Sequence, residues 1–352
     1  MRNIQTPCAL NTMTQKKNKV YNFALRKLRT GVSGAFIAVS VAQAQQPLPA
    51  SVAAAGLPAG HMPLTTASVA YAPHRVYDTK RGQFIDFETL LVDAARTDVL
   101  FLGEQHDDPI THALEAATLE GIGRRRDHVV LAMEMFERDA QRPLSDYLAG
   151  TISEADFLAA ARPWPRYATD YRPMVEYAKS RGWPVIAGNV PRRLASAVAR
   201  AGLAVFDTTS LGDRMLAAMQ FQCPKDKYYD RFSDTMGDMS GHGPTAPKTP
   251  AERDVVVEKM YQSQCVKDET MGEAIASAIT NGPAGTLVVH VNGSFHSDYR
   301  MGTAERARQR LEGKRVTIVS FVPVADLDTI DAASQRSLGD YLVFTLAPAK
   351  PK

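Results

Sequence analysis

The stretch VLFLGEQHDDP, at residues 99–109, decides how this sequence is expected to fold. Its apolar run ends at Gly103, and three acidic residues and one histidine follow within the next five positions. Asp108 is a typical helix N-cap, and Pro109 is favoured at the first helical position. The stretch therefore predicts a strand, a polar turn and a helix. In open α/β sheets, ligands bind at such turns, beyond the carboxyl ends of the strands.

Strand and helix patterns alternate along most of the chain. Short apolar runs predict buried strands at 98–102, 129–133, 183–187, 286–291, 315–321 and 341–346. The last run is interpreted as an antiparallel edge strand. Strands that are apolar throughout are typical of parallel sheets covered by helices. We therefore expect an α/β fold with a mainly parallel sheet and helices on both faces.

The alternation fails between about residues 211 and 285, which we expect to form an inserted helical subdomain. After a short strand at 203–206, the pattern predicts a helix at 212–222, an irregular loop at 223–250 and a long helix at 251–280. Cys223 and Cys265 form either a disulfide, worth roughly 4 kcal/mol in an oxidising compartment, or two buried thiols. We favour the disulfide.

Residues 1–44 predict a secretory signal peptide. They contain seven Lys or Arg residues and no acid, and an apolar run at 31–41 leads to Ala42-Gln43-Ala44, a typical cleavage site. The apolar run is shorter than the roughly 20 residues that span a bilayer. Residues 45–74 are rich in Pro, Ala, Gly and Ser and predict a flexible lead-in to a domain at 75–352. We therefore expect export to the periplasm or outer cell envelope, without a lipid-bearing cysteine.

The charge of the chain gives no sign of a nucleic-acid surface. Its formal net charge is +3, and without the seven basic residues of the N-terminus it becomes −4. The sequence also lacks a Gly-x-Ser-x-Gly elbow, a phosphate-binding loop, a Gly-x-Gly-x-x-Gly after a strand and a Cys-x-x-Cys-His. Nucleic acids and nucleotides are therefore not expected as partners.

Polar side chains follow four of the predicted strands. Glu104 and His106 follow the first, Glu134 and Asn189 end the next two, and His296 lies in a second Gly-x-x-His turn. Parallel strands end at the same edge of a sheet, so these side chains converge if the strands are neighbours. Glu104, His106, Glu134 and His296 would suit a divalent Zn, Fe or Mn ion, which could activate water for hydrolysis.

Each of these residues also has a structural explanation. Glu134 could pair with an arginine at its strand end, and His296 could cap the following helix. Asp107 and Asp108 are explained by helix capping and the helix dipole. His112 lies off the apolar face of its helix and is interpreted as solvated.

The helical insertion offers side chains of the kinds that ligate haem iron. They are Tyr228, Tyr229, Met236, Met239, His242 and Met260. Met260 lies on a predicted helix, where packing is the better explanation. His242, between two glycines in the predicted loop, is either a ligand or an exposed loop tip.

Taken together, these segments resemble the ChaN-like family of haem-binding uptake proteins, in the wider group of Tiki and TraB proteins and erythromycin esterases. The resemblance covers residues 76–346, in order, and rests on His242 and the segments 102–107, 131–136, 171–173, 187–192, 267–271 and 292–296. It implies an exported haem-binding protein of iron uptake, with a parallel α/β core, a helical subdomain and haem binding by a dimer. Two departures are the missing lipid-bearing cysteine and Gly272 after Met271, where the family tends toward Met-Ala.

The sequence therefore favours a non-enzymatic haem-binding protein of the cell envelope, acting with outer-membrane haem uptake machinery. The candidate haem-binding residues are His242, Tyr171, Tyr228, Tyr229 and Met239. The alternative is a metal-dependent hydrolase, whose metal ligands or acid/base groups would be Glu104, His106, Glu134 and His296.

Overall fold

The computed structural model of the chain describes residues 71–239 and 249–347, except for the side chains of 237–239. The predicted signal peptide, nearly all of the predicted lead-in and His242 lie outside these residues, as does the side chain of Met239. None of the helices within the described ranges is both long enough and apolar enough to cross a membrane.

Eight strands of the described chain form one sheet. They are β1 (His74–Asp78), β2 (Gln83–Ile85), β3 (Val99–Glu104), β4 (Val129–Glu137), β5 (Val185–Asn189), β6 (Leu287–Gly293), β7 (Val316–Val324) and β8 (Tyr341–Leu346). Their order across the sheet is β2-β1-β8-β7-β3-β6-β4-β5. All neighbours from β8 to β5 are parallel, and β1 is antiparallel to both β2 and β8. The predicted α/β fold with a mainly parallel sheet is confirmed.

The prediction that the last strand is an antiparallel edge was wrong. β8 pairs in parallel with β7, and β1 covers its other side, with Val76 opposite Val343. Sequence patterns show that a strand is buried on both faces, but they do not show which strands lie beside it. The hairpin of β1 and β2 supplies the edge instead.

Ten α-helices accompany the sheet in the described ranges. They are α1 (Phe87–Ala94), α2 (Pro109–Gly123), α3 (Gln141–Leu148), α4 (Glu154–Ala161), α5 (Arg172–Ser180), α6 (Arg192–Ala201), α7 (Leu211–Arg214), α8 (Lys227–Met239), α9 (Pro250–Asn281) and α10 (Gly302–Arg310). Asp108 caps α2 as predicted, because its carboxylate accepts from the Ile110 amide at 2.9 Å and the Thr111 hydroxyl at 2.7 Å.

Helices cover both faces of the sheet because its central strand is apolar on both sides. Leu100 and Leu102 face the side covered by α1–α5, and Val99 and Phe101 face the side covered by α9 and α10. All four side chains are fully buried. Successive residues of a strand point to opposite faces, so an uninterrupted apolar run is what a two-sided core requires.

Between 203 and 250 the local predictions were partly wrong. Leu203–Asp207 is a short 3-10 helix instead of a strand, and α7 ends at Arg214 instead of continuing to 222. Side chains of α9 accept the amide hydrogens of residues 218, 219 and 222, so this segment gains fixed hydrogen bonds without being helical. α8 lies inside the predicted loop, since Tyr228 and Phe232 give it a buried face against α9.

A disulfide joins Cys223 to Cys265, as favoured from the sequence. The two Cα atoms are 5.7 Å apart, within the usual range for a disulfide. The bond ties the chain just before α8 to the middle of α9. Disulfides persist mainly in oxidising compartments.

Candidate functional site

The carboxyl ends of β3, β6, β4 and β5 lie side by side, which meets the condition for the predicted convergence. Gly103 is opposite Asn292 in the register of β3 and β6, and Met133 is opposite Val291 in that of β4 and β6. The polar residues that follow these strands therefore meet at one edge, which we call the carboxyl edge. They form two hydrogen-bonded clusters.

The first, the Glu104 cluster, consists of Glu104, His106, His112, Glu115 and Tyr171. Glu104 Oε1 lies 2.5 Å from His106 Nδ1 and accepts from the Tyr171 hydroxyl at 2.8 Å. His112 Nδ1 lies 3.0 Å from Glu115 Oε2. Burial and the charge of Glu104 raise the pKa of Glu115 well above its usual range.

Sequence reasoning missed two members of this cluster. His112 was interpreted as solvated, which was wrong, because it is 3% exposed and its ring packs edge-on against Tyr171. The first turns of α2 lie across the carboxyl edge, so the polar face of the helix points into the protein. The available signal was the three-residue spacing of His112 and Glu115, which places both on one helix face below Glu104.

The second, the His296 cluster, consists of Glu134, Asp268, His296, Tyr228 and Thr303. His296 Nδ1 lies 2.6 Å from Asp268, and its Nε2 lies 3.3 Å from Glu134. The hydroxyls of Tyr228 and Thr303 each donate to Asp268 at 2.8 Å. Every member is therefore held by at least one polar partner.

Electrostatics keep the centre of the His296 cluster ionised. Burial by itself lowers the pKa of His296, but the charges of Glu134 and Asp268 outweigh it and raise that pKa to about 10. Burial by itself raises the pKa of Glu134, but the positive charge of His296 outweighs it and lowers that pKa well below its usual range. The cluster is an imidazolium between two carboxylates. Asp268 lies in segment 267–271, which contributes to the family resemblance, but it was not predicted as a site residue.

The two Gly-x-x-His turns pack against each other through their glycines. A Cβ at Gly293 would lie 2.7 Å from His106 Nε2, and a Cβ at Gly103 would lie 2.8 Å from the Ser297 hydroxyl oxygen. Real Cβ atoms essentially never make contacts this close, so a side chain at either position would force its neighbour to shift. Burial lowers the pKa of His106, but the hydrogen bond to Glu104 and the charge of Glu134 outweigh it and raise that pKa. His106 lies at the rim, with 43% of its side chain exposed.

The structure separates the predicted haem-binding residues. Tyr171 belongs to the Glu104 cluster and Tyr228 to the His296 cluster, and both are buried. Tyr229 is half-buried on another side of α8, with its ring 4.9 Å from that of Tyr261. The four predicted metal-ligating residues all lie at the carboxyl edge, as two pairs, Glu104 with His106 and Glu134 with His296.

A second surface, the α8 surface, lies beside the carboxyl edge and consists of Arg231, Met236, Phe295 and Tyr299. The guanidinium of Arg231 lies 5.3 Å from the ring centre of Phe295 and 3.9 Å from that of Tyr299. Its Nη1 has no hydrogen-bond partner among the described residues. The side chain of Tyr299 is 36% exposed. That nitrogen is itself buried, so this surface combines partly exposed apolar rings with a half-buried cation.

Comparison with known proteins identifies the family of the chain. A family model described as haem-binding uptake, Tiki superfamily, ChaN matches residues 90–307, which span β3 to β6 and α2 to α9. This match confirms the resemblance seen in the sequence. No curated protein sequence matches the chain significantly.

Three solved structures resemble the chain to different degrees, and the first of them has the same fold. A structure described as cofacial haem binding to ChaN of Campylobacter jejuni is 16% identical, with a TM-score of 0.57, and the match covers 78% of this chain and 97% of that one. The type III effector HopBA1 is 11% identical, with a TM-score of 0.41 and coverage of 74% and 93%. An erythromycin esterase mutant in its open conformation is 11% identical, with a TM-score of 0.40 and coverage of 78% and 83%. The last two TM-scores are too low to support any inference about this chain.

Proposed function

The chain belongs to the haem-binding uptake family of ChaN, in the Tiki superfamily, and we propose that it is itself a non-enzymatic haem-binding protein of haem or iron uptake. The observation that carries this proposal is the family match over residues 90–307, which includes both clusters, α8 and α9. The α8 surface supplies the chemistry that haem needs. Its rings can pack on the porphyrin, and the half-buried guanidinium of Arg231 supplies a positive charge for a propionate carboxylate.

The state of the tyrosines narrows the choice of iron ligand. A tyrosine ligates haem iron through its phenolic oxygen. Burial and the charge of Glu104 raise the pKa of Tyr171, and burial and the charge of Asp268 raise that of Tyr228. Both hydroxyls are also hydrogen-bond donors to those carboxylates. Iron ligation by either residue would break a buried bond, so we propose His242 as the ligand, with Tyr229 as the tyrosine that remains open to this role.

We further propose that two copies of the chain bind haem together. The similar structure of Campylobacter jejuni ChaN is described as binding haem cofacially, that is, with the faces of two haems stacked. Two stacked haems offer one outer face each, which two identical subunits could cover symmetrically. A homodimer with one haem per chain is the simplest arrangement of this kind.

The test is a haemin titration of the purified protein, followed by visible absorption and by the mass of the complex. We expect a shifted Soret band that saturates at one haem per chain, and a mass that doubles when haem is added. If the protein binds haem as a monomer, the proposal of a dimer is wrong but the proposal of haem binding stands. The absence of saturable binding would overturn the haem proposal itself.

Export is a separate part of the proposal. The signal-like residues 1–44 and the disulfide between Cys223 and Cys265 both suit a protein of the periplasm or outer envelope, working with outer-membrane haem uptake machinery. Terminal sequencing of the mature protein from cell fractions should give Gln45 as the first residue. An intact N-terminus in the cytoplasmic fraction would contradict export.

A metal-dependent hydrolase is the second candidate, and the convergence of Glu104, His106, Glu134 and His296 at the carboxyl edge is the observation that favours it. The state of His296 weighs against it, because both ring nitrogens already face carboxylates. Metal analysis of protein purified without chelators separates the candidates. This candidate requires stoichiometric metal that is lost in His106→Ala and His296→Ala.

A further inference from the structure

Beneath the carboxyl edge, Glu104, His112 and Glu115 form a buried group that the haem proposal does not use. Their relative exposures are 1%, 3% and 0%. His112 Nδ1 lies 3.0 Å from Glu115 Oε2 and 3.5 Å from Glu104 Oε2, and one ligand atom from each residue lies within 4.8 Å of the others. Atoms that share an ion at about 2.0–2.2 Å lie roughly 3–4 Å apart. The group therefore has nearly the spacing of a metal site.

This group carries more negative charge than its surroundings neutralise. In the described ranges, neither Glu104 nor Glu115 forms an ion pair with a lysine or arginine, and both pair only with histidines. Glu104 Oε2 and Glu115 Oε1 are buried and have no hydrogen-bond donor among those residues. Buried carboxylate oxygens without donors are costly, so this arrangement favours binding of a cation.

His112 is oriented to ligate through Nδ1. Its Nε2 lies 3.2 Å from the backbone carbonyl oxygen of His106. A carbonyl oxygen only accepts, so in the neutral imidazole Nε2 carries the proton and Nδ1 keeps a lone pair that faces the two glutamates. The Tyr171 hydroxyl holds Glu104 through the other carboxylate oxygen, Oε1. Outer contacts of this kind orient the ligands of protein metal sites.

We propose that Glu104, His112 and Glu115 bind one divalent transition-metal ion, Zn²⁺ or Mn²⁺. Two carboxylates and one imidazole are ligands that both ions accept, and three protein ligands leave at least one position for water. The site shares only Glu104 with the residues of the hydrolase candidate. It would join the end of β3 to the first turns of α2, below the rim formed by His106.

The first test is a Mn²⁺ titration of chelator-treated protein without haemin, with free Mn²⁺ measured by electron paramagnetic resonance. We expect saturation at one ion per chain. Glu115→Gln keeps the side-chain volume and should weaken binding about tenfold or more. Glu120→Gln, at an exposed position of the same helix, should leave binding unchanged. The absence of saturable binding, or equal binding by Glu115→Gln, would overturn the proposal.

A second measurement identifies the histidine. Pulsed electron paramagnetic resonance detects the nitrogen of an imidazole that ligates Mn²⁺. We expect one such nitrogen, lost in His112→Gln and retained in His106→Gln. Two coupled imidazoles in the unmodified protein, or a signal lost only in His106→Gln, would place the ion on the other residues. Because haemin is absent, a negative result would leave the haem proposal standing.

Discussion

The carboxyl edge and the α8 surface are neighbours, yet they differ in chemistry and in how they are held. Four parallel strands fix the edge, so its carboxylates and imidazoles can be buried in hydrogen-bonded pairs. The α8 surface combines half-exposed rings from the turns that follow β6 with one arginine on α8, a helix that a disulfide just before it ties to α9. Buried charges need closely placed partners of opposite charge. A large apolar ligand is stabilised instead by the apolar surface area that it buries on binding. This difference is why we place haem on the α8 surface and a metal ion in the edge.

The largest expected loss of stability follows from replacing Asp268, which holds the His296 cluster together at the carboxyl edge. Asp268→Ala removes the acceptor of His296, Tyr228 and Thr303 at once. Breaking a buried ion pair costs about 3–5 kcal/mol, and we expect a loss of unfolding free energy near the upper end. Urea unfolding measures it. Asp254→Ala, at an exposed position of the same helix, should change stability by less than about 0.5 kcal/mol. Equal stabilities for the two variants would show that the edge is not a paired cluster.

The next largest loss of stability is expected when the disulfide that ties α8 to α9 is removed. Replacing Cys223 and Cys265 by alanine should lower the unfolding free energy by about 4 kcal/mol in the chain-entropy model. The same variant should weaken haemin binding, because α8 is then no longer tied to α9. Urea unfolding and a haemin titration, each compared with the oxidised protein, measure the two effects. If this variant is destabilised but binds haemin with unchanged affinity, haem does not bind at the α8 surface.

The elements that were predicted correctly share one physical property, and the errors share another. The strands and their polar ends were visible because a two-sided core forces continuous apolar runs that stop at the sheet edge. His112 and Glu115 were missed because amphipathic patterns assume that a polar helix face points to water. Asp268 was missed as a site residue because only the tertiary fold brings α9 to His296.

The error at α8 shows how two local signals can conflict. The glycine, serine and aspartate residues after position 233 predicted a loop across 223–250. The four-residue spacing of Tyr228, Phe232 and Met236 was the helical signal, and it corresponds to the buried and half-buried face of α8. The burial of those rings against α9 decided the outcome, as tertiary packing often does.

The pH dependence of stability should distinguish the edge from the rest of the molecule. The folded pKa of His296, about 10, exceeds its unfolded value of about 6.5. Its stabilising effect is therefore complete below about pH 6.5 and is lost as the pH rises toward 10. Urea midpoints should fall over this window, and the fall should be smaller in His296→Gln. His128→Gln, at an exposed histidine, should keep the full profile. A flat profile in the unmodified protein would contradict an ionised His296.

A smaller effect should sharpen the role of the α8 surface. Arg231→Gln removes the proposed partner of a haem propionate, and a charge-assisted hydrogen bond is worth about 1.5–3 kcal/mol. We expect haemin affinity to fall about tenfold or more, as measured by fluorescence quenching. Arg308→Gln, at an exposed position of α10, should leave the affinity unchanged. Equal haemin affinities for the two variants would show that Arg231 does not bind haem.

The most direct test of the account compares His242→Ala with His106→Ala in the same haemin titration. We predict that His106→Ala keeps the Soret band and the haemin affinity of the unmodified protein. His242→Ala should lose the ligand-dependent Soret shift and bind haemin more weakly. His106 lies at the carboxyl edge and His242 in the connection between α8 and α9. Loss of haem binding in His106→Ala, with normal binding in His242→Ala, would place haem at the edge and contradict the account.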